Sequence, residues 1–220
     1  MLVTWLFAVR LLKACPSSKF VYLGSQQSSM GTCTEEVLRR IDIASSATNS
    51  MQRVWRHQRL STKTKFRLYQ VCILSILLYG SECWTLPQED LRRLEAFHTR
   101  SHRQILGLQW FHLVSNDEVL NTSVLPHIQE IIDRRRLQLF GHVVRLESNV
   151  PEHRALWQAI CVRGNIRPDS RWRRPRGRPR QTWLHHIADG SPFGIKTELH
   201  RAANRGHGES TRRTSAVCAI

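Results

Sequence analysis

Residues Ser61 to Trp84 read S-T-K-T-K-F-R-L-Y-Q-V-C-I-L-S-I-L-L-Y-G-S-E-C-W. The stretch has a basic head, an apolar body and a defined end. Ser61 or Thr62 is a residue type that caps a helix start, and Gly80 is the type that ends one. Phe66, Tyr69, Ile73, Ile76 and Leu77 recur at helical spacing, and Val71, Leu74 and Leu78 fill the other side. This predicts a helix that is apolar nearly all round and lies inside a domain. Its unbroken apolar run, Val71 to Tyr79, is far shorter than the roughly 18 residues that argue a membrane span. The basic head, Lys63, Lys65 and Arg67, is then expected at the rim of that domain, facing something acidic.

The whole chain has 220 residues, is 41% hydrophobic and carries a formal net charge of +16. Its sequence pI is near 10.9. There is room for one helical domain with a real core and a polar extension. Such a charge makes a nucleic-acid backbone the expected partner, because neutralising phosphates takes clustered cations and releases condensed counterions. A membrane surface fits less well, since no basic amphipathic stretch stands beside an anchoring segment. Nothing suggests a small-molecule substrate. The six cysteines are scattered without a C-x-x-C pair, as expected of unpaired thiols in a reducing compartment. The apolar residues Met1 to Val9 precede Arg10 and Lys13, the reverse of a signal peptide's order, so secretion is not expected. The nucleus or the cytoplasm is.

In chain order, Lys19 to Ser25 alternates and breaks at Gly24, a short strand or hairpin edge. Thr32 and Glu35 make a capping-box pattern before a long helix, from about Glu35 to Arg56, with a kink expected near Ser45 to Ser50. After the central helix, Pro87 opens and Gly107 closes another, carrying Leu91, Leu94, Phe97 and Ile105. Ser115 and Glu118 form a second capping-box pattern, and a further helix begins after Pro126 with Arg134, Arg135 and Arg136 expected to face out. A last short helix is expected from Pro151 to Ile160. From Cys161 onward Gly, Pro and Arg dominate and apolar periodicity fades, so residues 161–220 read as a disordered basic tail with one compact signal, Thr182 to Ile187. The expected architecture is mainly α: residues 1–30 a leader and strand edge, 31–160 a helical bundle, 161–220 the tail.

Several local phrases in order resemble one family, the reverse transcriptases of LINE-type non-LTR retrotransposons. They are F-V-Y-L-G-S from Phe20, R-R-I-D-I-A from Arg39, T-K-F-R-L-Y from Thr64, L-L-Y-G-S-E-C-W from Leu77, R-Q-I-L-G-L-Q-W from Arg103, R-R-R-L-Q-L-F-G-H-V-V-R from Arg134 and G-R-P-R-Q-T-W from Gly177. In that family Y-L-G-S follows the polymerase palm, and a helical thumb and C-terminal extension that hold template and primer come after it. The resemblance implies the downstream part alone, with residues 1 to about 18 an unrelated leader. Two-metal nucleotidyl transfer needs carboxylates placed together. The family's aspartates for this lie upstream of the resemblance, and the sequence has no Asp-Asp pair. No catalytic residue, metal set or cofactor is carried over.

The densest chemical feature is Arg171, Trp172, Arg173, Arg174, Arg176, Arg178 and Arg180, interleaved with Pro and Gly. Guanidinium forks grip phosphates and an indole offers a stacking face, so the run suits a backbone with some single-stranded character. With Lys63, Lys65 and Arg67 it forms the expected RNA- and DNA-binding set. P-R-G-R-P-R from Pro175 also resembles an AT-hook, the rival reading in which the chain binds A·T minor grooves. A translated pseudogene with no selected role is the third. His98-x-x-x-His102 puts two imidazoles on one helix face, but Cys72 and Cys83 do not complete a zinc pattern, and the pair reads as surface histidines.

Overall fold

The computed structural model describes residues 19–28, 32–123, 125–163, 181–191 and 194–204. The chain is mainly helical, with one short antiparallel hairpin near its start. Strands β1 (Lys19–Tyr22) and β2 (Ser25–Ser28) pair in the register Lys19 with Ser28 and Tyr22 with Ser25. The turn takes positive φ at Leu23 and Gly24, 48° and 74°. That is the left-handed pair a two-residue hairpin loop requires.

Helices α1 (Thr34–Ser50) and α2 (Gln52–Arg56) follow, broken at Met51, just past the expected kink. The Thr32 capping box does not form: Cys33 occupies the N-cap, and no side chain caps the helix there. Glu35 and Glu36 instead turn to the hairpin, where the backbone N–H of Gln26 donates to Glu36 at 2.8 Å and the Gln26 side chain to Glu35 at 3.2 Å. A carboxylate engaged with its neighbour is not available for its own helix end.

The central helix runs as α3 (Thr62–Leu68), a π turn (Tyr69–Ile73) and α4 (Leu74–Leu77). Ser61 caps it, its Oγ accepting from the Thr64 N–H at 3.2 Å, and the chain leaves it through Gly80 at φ 73°. Phe66, Tyr69, Ile73, Leu74, Leu77 and Leu78 are buried. Val71 is the exception to the expected all-round burial, at 64% exposed, because it points away from that stripe. Helix α1 packs on α4 and on α5 (Gln88–Leu106), and α5 packs on α3 and on α6 (Asn116–Ser123). The Ser115 capping box forms reciprocally, with Ser115 N–H donating to Glu118 at 3.0 Å and Glu118 N–H to Ser115 Oγ at 3.2 Å.

The described residues divide into two compact units inside helix α7 (Ile128–Arg145), between Ile132 and Asp133, and not at the composition change near Cys161. In the second unit, α7 is joined by α8 (Pro151–Arg163), α9 (Trp183–Asp189) and α10 (Ile195–Asn204). Phe140, Val143, Leu156, Leu184, Ile187 and Leu199 make one apolar core. The compact signal expected at Thr182 to Ile187 is α9, and α10 adds a helix that the composition of the tail did not announce. Ile195, Leu199 and Ala202 keep helical spacing, but they are too few to stand out in a basic, Gly-rich stretch. Arg136 also departs from expectation: it is buried, its guanidinium donating to Asp133 at 2.8 Å. Among the described residues no helix is long and apolar enough to cross a membrane.

Leu77 is fully buried on the stripe and Val71 is not, so the two test which face carries the fold. Leu77→Ala is expected to cost about 2 to 5 kcal/mol. Val71→Ala should change stability by no more than about 0.5 kcal/mol. Urea unfolding followed by helical circular dichroism measures both.

Candidate nucleic-acid interface

Between Asp42 and Glu82 the sequence contains no acidic residue, yet it contains Arg53, Arg56, Arg59, Lys63, Lys65 and Arg67. These cations stand on α2, on the turn after it and on the first turns of α3. Trp55, buried near the end of α2, donates its indole N–H to the Thr48 carbonyl at 3.0 Å. Its own carbonyl accepts from the Lys65 ammonium at 2.6 Å, tying the end of α2 to the first turns of α3. Arg53, Arg56, Arg59, Lys63 and Arg67 remain exposed. Among the described residues none of them is ion-paired, whereas Arg39 and Arg40 of α1 are held by Glu36 at 3.0 and 2.7 Å. Unmatched cations on a fixed scaffold are the arrangement a phosphate backbone needs.

Of the residues expected from sequence, Lys63 and Arg67 are presented outward, and Lys65 is half-buried with an anchoring hydrogen bond. Arg171, Trp172, Arg173, Arg174, Arg176, Arg178 and Arg180 lie outside the described residues. Arg53, Arg56 and Arg59 extend the expected set, and the signal that could have found them is the acid-free run itself, which is plain in the sequence.

The isolated aspartates are structural where they are buried. Asp90 accepts from Thr34 Oγ1 at 2.7 Å and from Arg93 at 3.2 Å, and Asp133 serves Arg136. Among the described residues no group of three His, Cys, Asp or Glu side chains is placed to hold a metal ion. Among the described residues Cys33, Cys72, Cys83 and Cys161 form no disulfide, and burial, with Glu82 nearby, pushes Cys83 up to about 11.

The histidine pair is a correction: His98 and His102 are fully buried, not on the surface. They lie on the inner face of α5, ring centroids 4.0 Å apart, with Phe66 and Tyr69 edge-on to His102 at 5.1 Å each. His98 Nδ1 and the Tyr69 hydroxyl share a hydrogen bond of 2.9 Å. Burial lowers His98 to about 4; the Pro126 carbonyl opposes this, though no atom completes a well-formed bond to its Nε2, and His127 adds to it. Burial, then the neighbouring His98, lowers His102 to about 3. Burial raises the Tyr69 phenol, the Ser101 hydroxyl opposing and Glu95 reinforcing. At neutral pH the pair is uncharged and packed among aromatic rings.

The chain is 24% identical over 173 residues to an uncharacterized transposon-derived protein of Caenorhabditis elegans. The match covers 77% of this chain and 58% of that protein, so the chain spans little more than half of the curated relative. No protein-family model matches the chain, and no solved structure matches it.

The histidines set a pH dependence. An unfolded chain takes up their protons near the ordinary value of about 6.5. The folded one resists until about 4 and about 3. The unfolded state therefore binds more protons below 6.5, and stability, complete above that value, falls as pH drops toward 4. Urea midpoints compared between about pH 7 and about pH 5, above the main carboxylate range, should decline, and His102→Phe should flatten the decline. An equal decline in that variant would assign the effect elsewhere.

Proposed function

We propose that this chain derives from a transposon, and more closely that it is the thumb-like downstream part of a LINE-type reverse transcriptase. Its role is to hold the backbone of template and primer nucleic acid without catalysis of its own. The observation that carries the reading is the exposed, unmatched corner of Arg53, Arg56, Arg59, Lys63 and Arg67 on a helical scaffold. The ordered family phrases and the transposon-derived relative support the origin. The basic run from Arg171 to Arg180 supplies further cations for phosphates.

Two assays test this. Replacing Arg53, Arg56, Lys63 and Arg67 with Ala should weaken binding evenly across DNA and RNA sequences, and lower the slope of log affinity against log salt by about 0.7 to 0.9 for each phosphate no longer neutralised. Salt-independent binding by the unaltered chain would sink the proposal. In primer extension with magnesium or manganese, no nucleotide incorporation above a buffer control is expected, for want of paired carboxylates. Incorporation abolished by changing any single aspartate would overturn the non-catalytic part.

A further inference from the structure

The five residues His57 to Ser61 join α2 to α3, and they carry a second chemistry besides charge. His57, Gln58, Arg59 and Ser61 are exposed, and so are Thr62 and Lys63 beyond them. The backbone is extended at both ends of the turn, φ −70° and ψ 117° at His57 and φ −64° and ψ 149° at Ser61. The Lys65 bond to the Trp55 carbonyl, 2.6 Å, ties together the helices on either side, so the turn is held on a fixed frame. Ser61 is thus an exposed hydroxyl two residues after Arg59 and five after Arg56, inside a run from Ile43 to Ser81 that holds no acidic residue.

This pattern suits one class of protein kinase, the arginine-directed serine/threonine kinases. Guanidinium forks upstream of the hydroxyl pair with carboxylates in the kinase cleft, and an Asp or Glu nearby would be repelled there. Ser61 can also accept the group without loss of fold. Its Oγ accepts from the Thr64 N–H at 3.2 Å and shares a hydrogen bond of 2.8 Å with the Thr64 hydroxyl. A phosphate on the same atom offers three acceptor oxygens to those donors.

The added charge falls among the cations. Arg59 and Lys63 are each two residues from Ser61, so chain geometry alone keeps their Cα atoms within about 7.6 Å of its own. That is inside the screening length of about 8 Å at physiological salt. A phosphoserine of about −1.5 to −2 charge offsets up to about two of the exposed cations Arg53, Arg56, Arg59, Lys63 and Arg67.

We propose that Ser61 is a phosphorylation site for an arginine-directed serine/threonine kinase, and that its phosphate releases the chain from nucleic acid. The Ser61 Oγ attacks the γ-phosphorus of ATP; the new O–P bond forms, the bond to the β-phosphate oxygen breaks, ADP leaves, and the hydroxyl proton passes to the kinase's base. This rests on the backbone-binding reading above and adds its regulation: cations that hold the phosphates of a strand are occupied by a phosphate of the chain itself.

The test incubates the full chain with ATP, magnesium and an arginine-directed kinase, with an acid-directed kinase alongside, and maps phosphate by mass spectrometry. Phosphate is expected on Ser61 from the first kinase and not from the second. Arg59→Ala should slow its uptake about 10-fold or more, the loss of one charge-assisted contact. Ser61→Gly, which keeps most of the cap, is treated in the same way. Any phosphate added elsewhere weighs on both chains alike, so the difference between them belongs to Ser61. Fluorescence anisotropy with oligo-dT across salt then reads the switch. Against treated Ser61→Gly, the treated unaltered chain should lose about 1 to 1.4 from the slope of log affinity against log salt, and bind about 10- to 25-fold more weakly at about 0.1 M salt. Phosphate on Thr62 or Thr64 in place of Ser61, or none in this segment, overturns the site. Phosphate on Ser61 with an unchanged salt slope overturns the switch while backbone binding stands. A fall in helical circular dichroism on phosphorylation would assign the lost affinity to the fold and overturn the switch as well. If the unmodified chain binds no oligo-dT at low salt, the nucleic-acid reading fails and the switch with it, whereas the mass of the Ser61 peptide still decides the site.

Discussion

Tyr69 carries its hydroxyl into the apolar core, and His98 is the group that answers it at 2.9 Å, with Ser101 nearby. The apolar stripe of the central helix can be covered only by other helices, but apolar contacts alone tolerate sliding. A buried hydroxyl does not, since leaving it unpaired costs on the order of 1 to 3 kcal/mol. The Tyr69 to His98 bond of 2.9 Å therefore fixes the register between the central helix and α5. Once that register is set, Phe66 and His102 meet edge to face one turn away, and α5 runs on to Gly107 with Arg103 donating to the following loop.

The first unit also sorts its charges. Its early carboxylates are consumed locally: Glu36 holds Arg39, Arg40 and the Gln26 amide, and Arg39 and Arg40 both donate to the Gly24 carbonyl at the hairpin turn. Arg40 also lies over the Tyr79 ring, 4.4 Å from its centroid, and the Tyr79 hydroxyl donates to the Leu23 carbonyl. A two-stranded hairpin is marginal by itself; here α1 and the end of the central helix clamp it. Among the described residues, the cations between Asp42 and Glu82 meet no such carboxylates, and this asymmetry, more than net charge, distinguishes the α2–α3 corner.

Caps and breaks were legible in the sequence because they depend on a few adjacent residues: Ser61, Gly80, Pro87, Gly107 and the Ser115–Glu118 pair all act as their residue types predict. What depends on distant neighbours was not. Thr32 and Glu35 have the letters of a capping box, but the hairpin claims Glu35. His98 and His102 look like surface groups on a basic helix until Tyr69 and Phe66 are seen to cover them. Arg136 sits among arginines that face out and is itself buried against Asp133. The basic segment at Lys63 and Arg67 was visible in part, and the acid-free run already carried Arg53 and Arg56; the Lys65 to Trp55 bond that ties α2 to α3 is what spacing does not reveal.

Helix α8 ends at Arg163 and helix α9 begins at Trp183, and Leu156 from the first and Leu184 from the second lie in the same apolar core. Residues on both sides of the arginine-rich run thus belong to one folded unit. A chain cut at the composition change near Cys161 would therefore lose α9 and α10, and with them the cover over Phe140 and Val143.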